Sequence, residues 1–301
     1  MFYSGKVEPF RSLRSLLVTL SAFLCSGASG ALLVHDPFDY SNDGSSLDSQ
    51  TSASRTGFAA SDAWSFPDVV STNVNFVSDA SSLSYGSLVT SGGSGRAFRS
   101  SGNVGNSKSA SLDSTTDFTN YGGDELWWSL VVNVDGFNPG GGESFVFTWD
   151  HQVSGGDRRF GFELDDSTEI IAIHNSGPSN TGVNFGAGNN LLVFRMTDST
   201  VGANGDEIEM WLNPALGGAP GTADFTTSGN FYGLVSGNNS YGFDGVSLSY
   251  DFSNDDAILI DEFRMGETFS DVAPIPEPAS LLLLLTSLLG CSLVRRRRGS
   301  R

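Results

Sequence analysis

The sequence predicts an all-β body, an antiparallel two-sheet jelly-roll sandwich, held between two targeting segments. Three observations predict it. From residue 31 to 273, short runs of aromatic and β-branched residues alternate with Gly, Asn, Asp and Ser clusters, the pattern of strands joined by turns. Nowhere in that span do apolar residues recur at helical spacing for three turns, so the crossover helices of a parallel sheet are missing. The 22 Phe and five Trp supply the apolar surface that one large core needs.

At the N-terminus, Lys6, Arg11 and Arg14 form a basic region, 16–24 an apolar run, and Ala28-Ser29-Gly30-Ala31 a set of small residues. That order predicts a secretory signal peptide over 1–30, cut between Ala28 and Ala31. Cys25 does not make a lipid-attachment site, because the bulky Leu24 precedes it. The only other cysteine, Cys291, lies in the C-terminal segment. The body therefore has no disulfide and depends on its core.

Along the body, 126–134 and 144–149 read as strands on either side of Asn138-Pro139-Gly140-Gly141-Gly142, and the spacing predicts a hairpin. Further strands are predicted at 159–164, 169–174, 190–197, 207–212, 241–250 and 257–265. The Ser- and Gly-rich stretches 41–61 and 71–120 read as surface loops, the second mixing weak strands such as 84–89 with long loops. Trp127 and Trp128 point to opposite faces of one strand, so a simple sandwich directs only one of them to its core. Trp149 and Trp211 read as core. The whole of 31–273 is predicted to be one domain.

The last 28 residues have a different logic. Pro274, Pro276, Glu277 and Pro278 lead into the apolar run 281–294, which Arg295, Arg296, Arg297 and Arg298 close. Prolines cannot donate to a ladder, so Pro276 and Pro278 hold an extended segment that another protein can read. The apolar run enters a bilayer as a helix, and the arginines hold its end on the cytoplasmic side. From 279 to 294 there are 16 residues, about 24 Å of helix against a hydrocarbon core of about 30 Å. That length suits a temporary anchor.

The segment Ile275-Pro276-Glu277-Pro278-Ala279-Ser280, the leucine run and the terminal arginines together resemble the PEP-CTERM sorting signal of exported bacterial proteins. The resemblance implies recognition of Pro276, Glu277 and Pro278 by exosortase, a membrane-embedded enzyme, and processing of 274–301 during export. Within the body, His35-Asp36-Pro37-Phe38-Asp39-Tyr40, Glu209-Met210-Trp211-Leu212-Asn213-Pro214 and Ile260-Asp261-Glu262-Phe263-Arg264 resemble concanavalin A-like or laminin G-like jelly rolls. In that fold the first and last strands are neighbours.

Charge and chemistry narrow the function. Residues 31–280 hold eight Lys and Arg against 33 Asp and Glu, a formal charge of −25, which repels nucleic acid. His35, His151 and His174 have no metal-binding spacing, and no Gly-x-Ser-x-Gly elbow is present. Glu207 and Glu209 share one face of a strand, as paired glycosidase acids can, but Met210 and Trp211 follow where a further acid is needed. Asp39, Ser41, Asp43 and Gly44 copy the first half of a calcium loop, with Gln50 where the bidentate Glu belongs. Asp165-Asp166, Asp255-Asp256 and Asp261-Glu262 are other carboxylate pairs, so a structural calcium ion is the one cofactor the chain suggests. The expectation is a non-catalytic cell-envelope or extracellular-matrix protein that exosortase sorts and that associates with polysaccharide. A secreted glycan-active hydrolase or lyase on the same fold is the alternative.

Overall fold

The computed structural model describes residues 31–40, 55–58, 64, 76–88, 90, 92–98, 104–111, 125–137, 144–153, 156–174, 177–197, 206–229, 245–252 and 257–274. Among these residues two antiparallel sheets face each other. The larger is built on β5 (Glu125–Gly136), whose alternation is lost because both of its faces are buried. It pairs on one side with β10 (Asn189–Thr197), then β11 (Asp206–Leu212) and β12 (Phe225–Gly229). On its other side lies β14 (Ala257–Gly266). The far edge of β14 is shared end to end by β1 (Leu32–Asp36) and β3 (Ser94–Phe98), and β2 (Phe76–Asp79) completes the sheet.

The second sheet runs β4 (Val104–Ser111), β13 (Gly245–Phe252), β6 (Ser144–Val153), β7 (Gly156–Asp165), β8 (Glu169–Ile173) and β9 (Ser179–Asn184). Between the sheets, Trp128 stacks on its cross-strand partner Phe194 with centroids 4.5 Å apart, and Phe147, Phe162 and Phe263 fill the layer beneath.

The sequence reading needs three corrections. The predicted hairpin of 126–134 with 144–149 does not form: β5 pairs with β10 and β14, β6 with β7 and β13, and the link between them passes from one sheet to the other. A Pro-Gly turn signal shows that the chain reverses, not which edge it joins. The weak strands expected among the loops of 71–120 are β2, β3 and β4, which the sequence reading did not place, and of these β4 is made mainly of small polar residues. Residues 84–88 form no strand; Leu88 N donates to Tyr85 O in a turn (2.9 Å), and Leu83 and Leu88 lie on the outer face of the larger sheet.

That outer face is a second apolar layer. Trp127 and Trp211 stack at 5.2 Å there, with Val131, Leu191, Val193, Phe269 and Val272 around them. Trp128 alone of the Trp127–Trp128 pair enters the inter-sheet core, yet both rings are buried. The cover includes the one helix among the described residues, the single turn α1 (Phe269–Val272).

Candidate functional site

The sorting element Pro276, Glu277, Pro278 and the stop-transfer residues Arg295, Arg296, Arg297 and Arg298 lie outside the described residues, as do the signal segment 1–30 and Asp43. No helix among the described residues is long and apolar enough to cross a membrane. The structure does describe the ground from which the tail departs.

β14 ends at Gly266, where a Cβ would stand 2.5 Å from the Asp271 Cβ and 3.2 Å from the Ala31 carbonyl oxygen, so only glycine fits. The chain then turns at Thr268, whose amide and hydroxyl both donate to Asp271 Oδ2 at 2.8 and 2.7 Å. This arrangement starts a helix that is too short to hold itself. Tertiary contacts hold it instead. Phe269 packs edge-on against Trp127 at 5.7 Å, Val272 is fully buried, and the Ser129 hydroxyl donates to the Val272 carbonyl at 2.6 Å. Ala273, also buried, donates its amide to Phe269 O. Only Pro274 and Ile275 separate this clamp from Pro276. A surface hollow of about 430 Å³, lined by Gly217, Gly218, Thr268, Phe269, Ser270 and Ala273, opens beside it.

The start of the body meets its end here. β1 is antiparallel to the last residues of β14, with Leu32 opposite Gly266. Glu267 N donates to Ala31 O and Ala31 N to Glu267 Oε2, each at 3.2 Å.

The acids singled out in the sequence have other work. Glu209 is bound by the Arg195 guanidinium, which also reaches Glu125 at 3.3 Å and lies over the Trp127 and Trp211 rings at 5.3 and 5.9 Å. Glu207 and Glu209 stand side by side along β11 on its outer face, not across a cleft. Among the described residues no three His, Cys, Asp or Glu side chains come together around a metal position. His35 and His174 are far apart in function: His35 meets Glu262 at 2.8 Å, and His174 meets Ser179 at 2.9 Å with burial lowering its pKa.

Sequence reasoning missed the buried polar network under β1. Asp36, with no solvent exposure, accepts from Phe38 N (3.0 Å), Tyr40 Oη (2.8 Å) and Trp64 Nε1 (3.1 Å), and pairs with Arg55 Nε at 3.0 Å. Burial, reinforced by the Asp36 carboxylate, raises the Tyr40 hydroxyl far above its ordinary value. Alongside, Glu262 takes His35 and two nitrogens of Arg264. The run His35-Asp36-Pro37-Phe38-Asp39-Tyr40 was visible as a motif; that Arg55 and Trp64 return to it was not. Asp261, next to Glu262, points the other way and accepts from Leu83 N, Ser82 Oγ and Glu262 N, and burial pushes it up to about 9.

On the second sheet, Val246, Leu248 and Tyr250 face the core, which turns Ser247 and Ser249 outward beside Thr148, Val146 and Glu163. Thr148 and Ser247 share a hydrogen bond of 2.9 Å. Burial and then the neighbouring Asp165 raise the Glu163 pKa. All five Trp are buried, so none offers a stacking platform for a sugar ring.

An all-β two-sheet sandwich with a processing element at its C-terminal pole is the class these features define. Residues 274–298 match the model of the PEP-CTERM protein-sorting motif, and that motif indicates export and sorting through exosortase. No curated protein matches the chain. Solved structures similar in fold include an alginate lyase from Aplysia kurodai (11% identity, TM-score 0.40, 61% of this chain and 86% of that one). A protein of unknown function from Shewanella oneidensis MR-1 is similar over 88% of this chain and 97% of its own (14%, TM-score 0.39). An alginate lyase from Chlorella virus is similar over 62% and 90% (10%, TM-score 0.37). Likenesses at this level carry nothing about chemistry.

Proposed function

We propose that the chain is a non-catalytic cell-envelope or extracellular-matrix protein, anchored briefly by its C-terminal helix, processed by exosortase at Pro276-Glu277-Pro278, and delivered to a polysaccharide-rich surface. The observation that carries this reading is the sorting motif at 274–298, on a body in which Glu209 and Asp36 are bound by arginines. The outward-facing Ser247, Ser249 and Glu163 supply hydroxyl and carboxyl groups for hydrogen bonding to a polysaccharide chain. A negative body suits a neutral or cation-bridged polysaccharide.

The test is pulse-chase labelling with fractionation in the native host. Glu277→Ala combined with Pro278→Ala leaves export and folding of the body intact and blocks tail processing, so a slightly larger membrane-bound form accumulates. Normal processing of that double variant overturns the sorting assignment. A glycan array of the exported protein reads the polysaccharide part separately. Polysaccharide turnover that disappears in Glu207→Gln or Glu209→Gln would restore the hydrolase or lyase reading.

A further inference from the structure

All four bonds in the run Ala28-Ser29-Gly30-Ala31-Leu32 have the small residues a signal peptidase needs before the cut. Sequence does not choose among them, but the fold treats them differently. Ala31 belongs to the folded body, since its carbonyl accepts from Glu267 N and its nitrogen donates to Glu267 Oε2, both at 3.2 Å. A cut after Ala31 would remove the acceptor of the Glu267 amide and fray the first pair of β1 with β14, where Leu32 lies opposite Gly266. A cut after Ala28 would leave two extra residues and place the new charge away from Glu267. A cut between Gly30 and Ala31 puts it on the nitrogen that already faces a carboxylate.

We propose that signal peptidase hydrolyses the Gly30–Ala31 bond and that the α-ammonium so formed on Ala31 pairs with the Glu267 carboxylate, closing the first strand onto the last. Water adds across the peptide bond, Gly30 leaves as a carboxylate, and the Ala31 amine takes a proton to become an ammonium. Before the cut the same nitrogen is a neutral amide, so the ion pair exists only in the matured chain. The clasp sits at the end of β14, five residues before the buried Val272 that anchors the sorting tail. Both processing points therefore border one pole of the sandwich. This inference rests on the export reading above.

The test uses the exported full-length protein from the native host. Its N-terminal residue, read by intact mass and terminal sequencing, is expected to be Ala31; Ser29, Gly30 or Leu32 there overturns the inference and leaves export standing, whereas an uncut leader overturns both. Glu267→Gln keeps an oxygen to accept the Ala31 hydrogen bond and removes only the charge. In the matured protein it is expected to lower Tm by about 1–3 °C. In Gly30→Gln protein whose intact mass shows that Ala31 is retained with residues still joined to its amide, Glu267→Gln is expected to change Tm by less than about 0.5 °C. Equal shifts in the two backgrounds overturn the ion pair.

Discussion

Asp36 and Asp261 are both buried aspartates, and their neighbours differ. Asp36 faces a guanidinium and three further donors, so its negative charge is compensated. Asp36→Asn removes the carboxylate 3.0 Å from Arg55 Nε and turns an acceptor-only group into a donor beside Trp64 and Tyr40. Loss of about 3–5 kcal/mol is expected in denaturant unfolding. Among the described residues no ion pair joins Asp261 to a cation. The Ser82 hydroxyl can donate to Leu83 O (3.5 Å) while accepting from a protonated Asp261 Oδ2 at 3.2 Å, so a neutral carboxyl is accommodated. Because burial lifts its pKa to about 9 in the fold, against about 3.9 in the unfolded chain, the folded state holds a proton that the unfolded state releases. The resulting stabilisation is complete below about pH 4 and is lost as pH rises through about 9. Asp261→Asn mimics the neutral acid. Thermal melts from pH 5 to 9 should decline for the native chain and decline less for that variant; parallel curves would mean that Asp261 stays ionised.

At the scale of elements, what sequence reveals depends on how a strand is buried. β5, β6, β7, β8, β10, β11, β13 and β14 carry Phe, Trp, Ile, Leu or Val to one or both faces, and periodicity finds them. β4 (VGNSKSAS), β9 (SNTGVN) and β12 (FTTSG) are polar edge strands that exist because a neighbour's unpaired ladder accepts them, and no local property announces that. Partner choice was equally hidden, which is why the β5–β6 hairpin was misread. For the site, the sorting motif was legible because its parts are contiguous, while the Asp36 network was not, because it joins residues up to 28 positions apart. Glycines show the same dependence on context. In β7, a Cβ on Gly161 would lie 2.0 Å from Phe147 O and 2.8 Å from Thr148 Cα, backbone that cannot step aside. Gly161→Ala is expected to cost about 3 kcal/mol. Gly182, at φ +71 with nothing within 4 Å, is the control; alanine there is expected to cost about 1–2 kcal/mol from backbone strain alone. Equilibrium unfolding of the two variants measures the difference.

Over the whole molecule, charge is sorted by place. The body carries −25, while the basic residues of the two ends, Lys6, Arg11 and Arg14 at one and Arg295, Arg296, Arg297 and Arg298 at the other, flank apolar runs. If both apolar runs enter the membrane as the proposed function requires, the positive-inside effect would hold both basic groups on the cytoplasmic side and deliver the body between them to the opposite side as a loop. The fold accepts that path, because Ala31 and Glu267 bring the body's two ends to one pole and neither end must cross the sandwich to reach the membrane. In that proposed path the apolar run 281–294 is short, so it would resist passage weakly and the arginines would carry much of the retention. Replacing Arg295, Arg296, Arg297 and Arg298 together with serine leaves Pro276, Glu277 and Pro278 intact but weakens the hold that keeps them at fixed depth. The expected result in fractionated cells is unprocessed full-length chain in the extracellular fraction, with the folded body unchanged in its melt. Serine variants that remain in the membrane and are processed at the normal rate would show that the apolar run alone sets the depth.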